Sequence, residues 1–506
     1  MIKIFLLIII SSGKDPAACH TIGEVWNCYT TGCLGGEWSA GSYGLTWPGG
    51  IPINNYYLWN SYFAIGVKEN NFPYVTAWDY PLGEWAPCSL IYHGPGISED
   101  DIIMTWHDLI TNPRNAAGRR TGLRVIMKAL AWSHEPWNDF IGYEIYLIWK
   151  KDSCDIQNVG ETLDSIYLGI IFDCDVSGAD QSDPNIDDMP FYDGYVAHEW
   201  DTLGYPYDSI TLLPDSFINT PDGIYDQYIV YGDNEWEHTL HGEILILPRN
   251  LSFMWDDDNP STPGNDKGEN GASAGYVGLA LLYSPTSIGD TTWICPHCGD
   301  TCRIPRVWAH HIWDWQNDPT NDSIFYEHLA GRPVRFMYKP QDPFDYRFLL
   351  SVGPFKMADK ETLKFVFAGA VGQELNGGND SIYGRDWIRG LRQTIDYALA
   401  AYYTGSQISD PVHPSGPDED IHWKILKISE KNYNKISLNL PTILTPSYSL
   451  KTKESLTIEI FNISGRKIKE IKVKDFAFPF KNLKEGTYFL RINNEKKLKR
   501  IILIKP

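Results

Sequence analysis

The sequence predicts a mainly β protein, a large β-sandwich carrying one packed helix and followed by a separate β-rich module. From about Thr21 to Pro285, short apolar or alternating runs are separated by Gly, Pro, Asn and Asp, a spacing typical of sandwich strands and turns. Aromatic residues make up 14% of the chain and favour half-buried sheet faces. At 506 residues the chain is too long for one ordinary domain.

Several segments of the main block carry a strand pattern. Ile141 to Trp149 alternates between apolar and other residues, and Leu123 to Trp132 places Arg124 and Lys128 on one face. Ile166 to Phe172 is almost wholly apolar, which predicts a central strand. Later strands are expected at Glu243–Leu247, Leu251–Trp255, Tyr276–Tyr283, Phe348–Val352 and Leu363–Val371.

One helix is predicted, at the end of the main block. In Asp386 to Tyr403 the apolar residues recur at steps of three and four, and Gly405 follows as a stop. Residues 406–435 begin with a stretch rich in Pro, Ser, Asp and Gly, and we interpret them as a linker. The large sandwich domain is therefore predicted to span residues 20–405.

The first residues resemble a short signal peptide. Lys3 precedes an apolar run from Ile4 to Ile10, and small residues follow. We expect the signal peptide to span residues 1–13, with an end as late as residue 19; a buried first strand and a lipid anchor at Cys19 are the alternatives. No apolar run reaches the length of a membrane span, so no transmembrane segment is expected.

The last seventy residues differ in charge from the rest of the chain. Residues 436–506 contain 15 Lys and Arg and 6 Asp and Glu, a net charge of +9, whereas the whole chain carries −21. A segment whose charge opposes its own body indicates a separate module with a separate partner. Its strand-like runs are Ile458–Ile463, followed by Gly465-Arg466, then Gly486–Arg491 and the basic Lys499–Lys505.

In the order of these motifs, residues 436–506 resemble the C-terminal sorting domain of proteins exported by the type IX secretion system. The shared motifs are a strand–Gly-Arg–strand hairpin, a late Gly-x-Tyr-x-x-Arg strand and a final basic strand. The resemblance implies a small immunoglobulin-like β-sandwich that the secretion machinery recognises. It also implies passage through the periplasm to the cell surface or the medium.

The main block resembles a family of uncharacterised secreted bacterial β-rich proteins. The stretches that carry this resemblance include Gly118–Leu123, Tyr167–Asp175 and Tyr346–Phe355. That family has no established activity, so the resemblance implies a location and a fold class and no reaction.

Acidic residues follow the predicted central strand and a second strand. The first cluster includes Asp173, Asp175, Asp187 and Asp188, and the second is Asp256, Asp257 and Asp258. Alternating carboxylates at strand ends suit calcium, which takes six to eight oxygen ligands. Two solvated acidic loops are the alternative hypothesis. The acidic body also argues against nucleic acid as a partner.

The cysteines allow two kinds of site. Cys295, His297, Cys298 and Cys302 have zinc-ligand spacing, with His310 and His311 close behind. A disulfide with a spare thiol competes with zinc in an exported protein, and inert thiols are the third alternative. Elsewhere, Cys28 and Cys33 are close enough in sequence for a small-loop disulfide.

No catalytic residues are predicted. Glu237-His238-x-x-His241-Gly-Glu243 and His198-Glu199 contain metal-ligating residue types, but neither has the spacing of a helical zinc-protease motif. Aromatic residues that could stack on sugars lie in two places. They are Tyr56, Tyr57 and Trp59, and further along Trp308, Trp313 and Trp315.

The sequence thus favours an exported structural protein of the cell surface or extracellular space, without catalytic activity and with self-association as one option. A carbohydrate-binding or adhesive surface protein is the first alternative, with a glycan as partner. A secreted hydrolase is the second.

Overall fold

The computed structural model gives two compact units, residues 1–427 and residues 428–506. The residues that it describes are 18–36, 44–49, 56–69, 72–77, 84–109, 120–156, 159–176, 186–193, 230–231, 234–235, 237–240, 243–246, 249–257, 275–285, 287–288, 307–337, 340, 342–375, 381–382, 385–386, 390–404, 423, 443–444, 450–461, 467–477, 486–492 and 499–503. The predicted signal peptide at residues 1–13 lies outside them.

An eight-stranded antiparallel sheet forms one layer of the first unit. With strands numbered along the chain, its order is β10-β15-β16-β19-β8-β7-β6-β5. The strands are β5 Ala86–Gly94, β6 Asp100–His107, β7 Leu123–Ala131, β8 Phe140–Trp149, β10 Asp188–Asp193, β15 Leu251–Asp256, β16 Gly275–Tyr283 and β19 Thr362–Gln373.

A five-stranded antiparallel sheet forms the facing layer, in the order β17-β18-β9-β3-β4. Its strands are β3 Asn60–Glu69, β4 Phe72–Thr76, β9 Thr162–Asp173, β17 Ala309–Asp314 and β18 Tyr346–Ala358. The predicted central strand is β9, which lies between β18 and β3 and is fully buried from Ile166 onward.

The core of the first unit lies between the two sheets. Alternate residues of β7, such as Val125 and Met127, share one buried cluster with Ile170 and Phe172 of β9 and Leu350 of β18. This arrangement confirms the predicted sandwich, because each strand sends every second side chain to the opposite sheet.

A helix, α2, covers part of the outer face of the eight-stranded sheet. It spans Leu391–Thr404, five residues later than predicted, and Arg385–Asp386 forms the short strand β21 instead. The predicted apolar stripe is correct, since Leu391, Ile395 and Leu399 pack on the outer face.

Trp423 extends this cover, although it lies in the segment predicted as a linker. Its indole is fully buried, stacks on Phe140 with ring centroids 6.4 Å apart, and meets Tyr402 edge-on at 5.3 Å. Its backbone N–H donates to the carbonyl of Ala401. The prediction of a linker rests on the composition of the segment, and one aromatic residue hardly changes the composition of a segment rich in Pro and Asp.

A second helix, α1, was not predicted. It spans Asp322–Leu329 and begins at Asn321, whose side-chain oxygen accepts a hydrogen bond from the N–H of Ile324 at 3.1 Å. Tyr326 and Leu329 pack on the outer face of the five-stranded sheet. Gly66 and Gly169 permit this approach, since a Cβ at either would meet these side chains at 2.8 Å or less. Eight residues are too few for a clear periodic signal.

Four smaller two-stranded sheets also lie in the described residues of the first unit. They pair β1 Ala18–His20 with β2 Asn27–Tyr29, β11 Val230–Tyr231 with β12 Asn234–Glu235, β13 Glu237–Leu240 with β14 Glu243–Ile246, and β20 Ser381–Ile382 with β21. In the described residues, 3-10 turns span Lys151–Ser153 and Trp315–Asn317.

The second unit is also β-rich, as predicted. Its described residues form one five-stranded sheet in the order β22-β26-β25-β23-β24, with β22 parallel to β26. The strands are β22 Ile443–Leu444, β23 Leu450–Phe461, β24 Lys467–Ala477, β25 Gly486–Ile492 and β26 Lys499–Leu503. The Gly-x-Tyr-x-x-Arg motif lies on β25, next to β23.

The burial of Trp423 predicts that this residue stabilises the first unit. Trp423→Ala should lower the free energy of unfolding by about 3–5 kcal/mol, because it leaves a cavity between α2 and the sheet. Urea denaturation would measure the change. Trp315→Ala is the matched control, since the side chain of Trp315 is half exposed; equal effects of the two changes would contradict the packing role of Trp423.

Candidate functional site

The predicted acidic residues meet where strands of the two sheets end. Asp175 follows β9, Asp188 begins β10, and Asp256, the last residue of β15, is the direct cross-strand partner of Asp188. The backbone N–H of Val176 donates to Asp188 Oδ1 at 3.2 Å. Carboxylates distant in sequence are therefore gathered at one end of the sandwich.

Asp173 has a cationic partner that the sequence did not reveal. Arg347 of β18 contacts Asp173 Oδ2 through Nη2 at 3.1 Å. The same guanidinium also pairs with Asp318 at 3.3 Å and Asp345 at 3.0 Å. β9 and β18 are neighbours with Asp173 opposite Arg347, so sheet pairing, invisible in the local sequence, decides this contact.

Burial dominates the electrostatics of the cluster. It raises the pKa of Asp173 to about 7, against the opposing effect of Arg347. The pKa of Asp188 is raised well above its usual range, first by burial and then by the charges of Asp175, Asp256 and Asp187. Burial and the charge of Asp173 likewise raise the pKa of Asp175. The cluster therefore favours protons or a cation over unneutralised carboxylates.

The calcium prediction stays a prediction. The structure brings Asp175, Asp187, Asp188 and Asp256 together, and the N–H of Asp257 donates to the carbonyl of Asp187 at 2.8 Å. Asp258 lies outside the described residues. Across the ranges that the structure describes, no three His, Cys, Asp or Glu side chains are placed to hold one metal ion.

The predicted zinc ligands Cys295, His297, Cys298 and Cys302 lie outside the described residues. The two nearby histidines are described and point to opposite faces of β17. His310 is fully buried beside Ser252 Oγ at 2.9 Å, and burial lowers its pKa to about 3. His311 Nε2 donates to the carbonyl of Val334 at 2.6 Å.

The disulfide predicted between Cys28 and Cys33 is wrong. Cys28 pairs with Cys19, because β1 and β2 place these two residues directly opposite each other. Cys33 is buried, and its thiol donates to Asn60 Oδ1 at 3.8 Å. Ala18–His20 forms β1, and the signal peptide stays a prediction.

The aromatic residues proposed for sugar stacking mostly contribute to packing. Tyr56, Tyr57 and Trp313 are buried. Trp308 is half-buried and has the Arg335 guanidinium 3.9 Å from its ring centroid. Trp59 is also half-buried, which leaves Trp315 as the exposed member of the set.

The catalytic-type motifs do not form a helical site in the described residues. Glu237–Leu240 is strand β13 of a hairpin, as the absence of helical periodicity predicted. His198 and Glu199 lie outside the described residues.

A polar network on the outer face of the eight-stranded sheet was missed by sequence reasoning. Glu144 of β8 contacts Lys128 Nζ of β7 at 3.2 Å and Lys364 Nζ of β19 at 3.1 Å. Tyr146 Oη donates to Glu144 at 2.8 Å. Burial opposes the charge of Glu144, but the two lysines hold its pKa below the usual range. The signal available in the sequence was the placement of Arg124 and Lys128 on one face of β7.

Comparison with known families decides the nature of the second unit. Residues 441–505 match the family model of the secretion system C-terminal sorting domain. This match confirms the predicted type IX sorting tail. Such a domain implies export to the cell surface or the extracellular space through contact with the secretion machinery. The described part of the chain contains no helix long and apolar enough to cross a membrane.

The comparisons with curated proteins and with solved structures concern the whole chain. No curated protein matches the chain. A solved structure of a polysaccharide lyase is similar at 9% sequence identity and a TM-score of 0.22, with coverage of 98% of this chain and 47% of that chain. The protein thus spans about half the length of that lyase, and a similarity this weak carries no argument about activity. The resemblance of the main block to uncharacterised secreted proteins stays a prediction.

The acidic cluster predicts an unusual response to Asp188→Asn. In the absence of calcium the substitution should raise the midpoint of thermal unfolding at pH 7.5, because it removes a carboxyl whose ionised form is disfavoured by burial and by Asp175 and Asp256. A carboxyl whose pKa is raised in the folded state stabilises the fold fully at a pH below its pKa in the unfolded chain, which is about 3.9. That stabilisation is lost as the pH rises through its pKa in the folded state. The gain should therefore shrink at pH 5.

Calorimetry in EDTA and in millimolar calcium would measure both effects. Asp164→Asn, at a half-exposed residue paired with Lys356, is the control. The pKa values of His310 and His311 are lowered by burial, so these residues favour the fold at higher pH. This opposite pH dependence is the same in the wild type and in the Asp188→Asn variant and does not affect their difference. A pH-independent effect would contradict the electrostatic account; a wild-type midpoint unmoved by calcium would contradict the calcium prediction.

Proposed function

We propose that the protein is a non-catalytic structural component of the cell surface or extracellular space that assembles with copies of itself. The observation that carries the proposal is the exposure of apolar side chains along one edge of the sandwich. Both large sheets end there, one with β4 and the other with β5, consecutive strands of the chain. Thr76 Oγ1, at the end of β4, donates to Asp108 Oδ2 beside β6 at 2.9 Å, which holds the two sheet edges together.

Exposed apolar side chains lie along this edge. Phe72 of β4 is 68% exposed, and Ile91 and Tyr92 of β5 are 48% and 42% exposed. Large exposed apolar residues on an edge strand favour association with another chain. Side chains already bond part of the backbone of this edge, since the N–H groups of Val75 and Cys88 donate to Asp322 and Thr31. The bulges of β5 restrict pairing with another chain to particular registers.

Export supports the same proposal. The sorting tail accounts for delivery outside the cell, where a stable sandwich can serve as a building unit. The titratable cluster around Asp188 is buried at a strand junction. A structural role fits buried carboxyls better than hydrolysis, which needs carboxyls that reach a substrate.

Introduction of charge at the edge tests the proposal. Sedimentation velocity of the full chain should show self-association. Phe72→Lys combined with Ile91→Lys should weaken it and raise the dissociation constant at least tenfold, which corresponds to a loss of about 1.4 kcal/mol of binding free energy. Ile288→Lys is the matched control, because Ile288 is 52% exposed outside these strands. A monomeric wild-type chain would contradict the proposal, as would equal effects of edge and control substitutions.

Carbohydrate binding is the second candidate function, and one observation favours it. Part of the outer face of the eight-stranded sheet lies beyond the apolar cluster under α2 and carries lysines, an arginine and a tyrosine, whereas the chain as a whole is acidic. Lys364 lies at the border of this part, with its Nζ 5.6 Å from the centroid of the Tyr402 ring of α2.

A further inference from the structure

The outer face of the eight-stranded sheet is divided into two halves. One half, which includes Phe140, Val366 and Ala368, is covered by α2 and Trp423. The other half continues across β6, β7, β8 and β19 as three cross-strand rows, whose residues are partly or fully exposed apart from the buried Glu144. The rows are Ile103, Lys128 and Glu144; Thr105, Ile126, Tyr146 and Lys364; and His107, Arg124, Ile148 and Thr362.

These rows combine positive charge with half-buried apolar surface. They contain Lys128, Lys364 and Arg124, and Glu144 is the one carboxylate on the three rows, all of which are described. Burial, followed by the charge of Arg124, lowers the pKa of His107, so this residue is neutral at pH 7. The formal charge of the face is therefore +2, in a chain of net charge −21.

The lysine side chains of this face are partly exposed to solvent, whereas the carboxylate is buried. The side chains of Lys128 and Lys364 are 29% and 22% exposed, whereas that of Glu144 is 4% exposed. An ammonium carries three donors, and the carboxylate between the two lysines aligns both without neutralising both. The two ammoniums also flank the Tyr146 ring, 5.1 and 5.9 Å from its centroid.

We propose that this face, defined by Arg124, Lys128, Tyr146 and Lys364, binds an acidic polysaccharide of the uronate type. Neighbouring strands lie about 4.8 Å apart, a spacing close to the length of one sugar unit in an extended chain. A polysaccharide crossing the strands would therefore meet one strand per sugar. Carboxylates would pair with the cations while sugar C–H groups contact Ile126 and Tyr146.

Charge complementarity selects this ligand over denser polyanions. Nucleic acid carries one charge per about 1.7 Å of duplex, and the acidic remainder of the body would repel it. An acidic polysaccharide spreads one charge over each sugar, which a face of +2 can match. The inference rests on the proposed location outside the cell, where such polymers occur, and is independent of self-assembly.

Affinity electrophoresis of the full chain through gels containing polygalacturonate, or dextran as the neutral control, tests the inference. Wild-type protein should be retarded by polygalacturonate alone, and less at higher salt. Lys128→Gln with Lys364→Gln should weaken binding by about tenfold or more, since charge-assisted contacts are lost. Lys151→Gln with Lys356→Gln changes the net charge equally at lysines paired elsewhere and should have little effect.

Glu144→Gln provides a test with the opposite sign. It removes the one negative charge of the face while keeping a hydrogen-bond acceptor for the lysines, and it should tighten binding. Absence of retardation, equal retardation by dextran, or equal losses in the two double variants would overturn the inference. Sedimentation without polysaccharide reports self-assembly separately, so failure of one proposal is distinguishable from failure of the other.

Discussion

The structure of the first unit depends on the burial of two apolar sheet faces against each other. Each large sheet offers one continuous apolar face, and water is excluded only when both faces meet. The central strand β9 shows the constraint most clearly, because it is apolar on both faces and needs cover on both. Its inner residues, such as Ile170, meet the eight-stranded sheet, whereas Ile171 meets α1.

This constraint also explains where polar groups are found. Charged side chains that occur inside the unit are gathered at strand ends, as with Asp188, or are paired, as with Asp173 and Arg347. On the outer face the helix α2 covers only part of the sheet. The uncovered part can hold charge, and there Glu144 sets the spacing of two lysines.

Sequence reasoning succeeded where the pattern is local. The alternation of Ile141 to Trp149, the stripe of α2 and the order of motifs in the tail each identify an element without its neighbours. Contacts set by strand order could not be predicted. Asp188 meets Asp256, and Cys19 meets Cys28, because particular strands are adjacent. Trp423 shows the same limit for a single buried residue beyond α2.

The central claim is that the sandwich is cargo which the separate sorting tail delivers outside the cell. Fractionation of a host with type IX secretion machinery, producing either the full chain or a chain that ends before residue 436, tests it most directly. The full chain should reach the surface or the medium, whereas the shortened chain should accumulate in the periplasm with its sandwich folded. Equal appearance of both outside the cell would contradict the account.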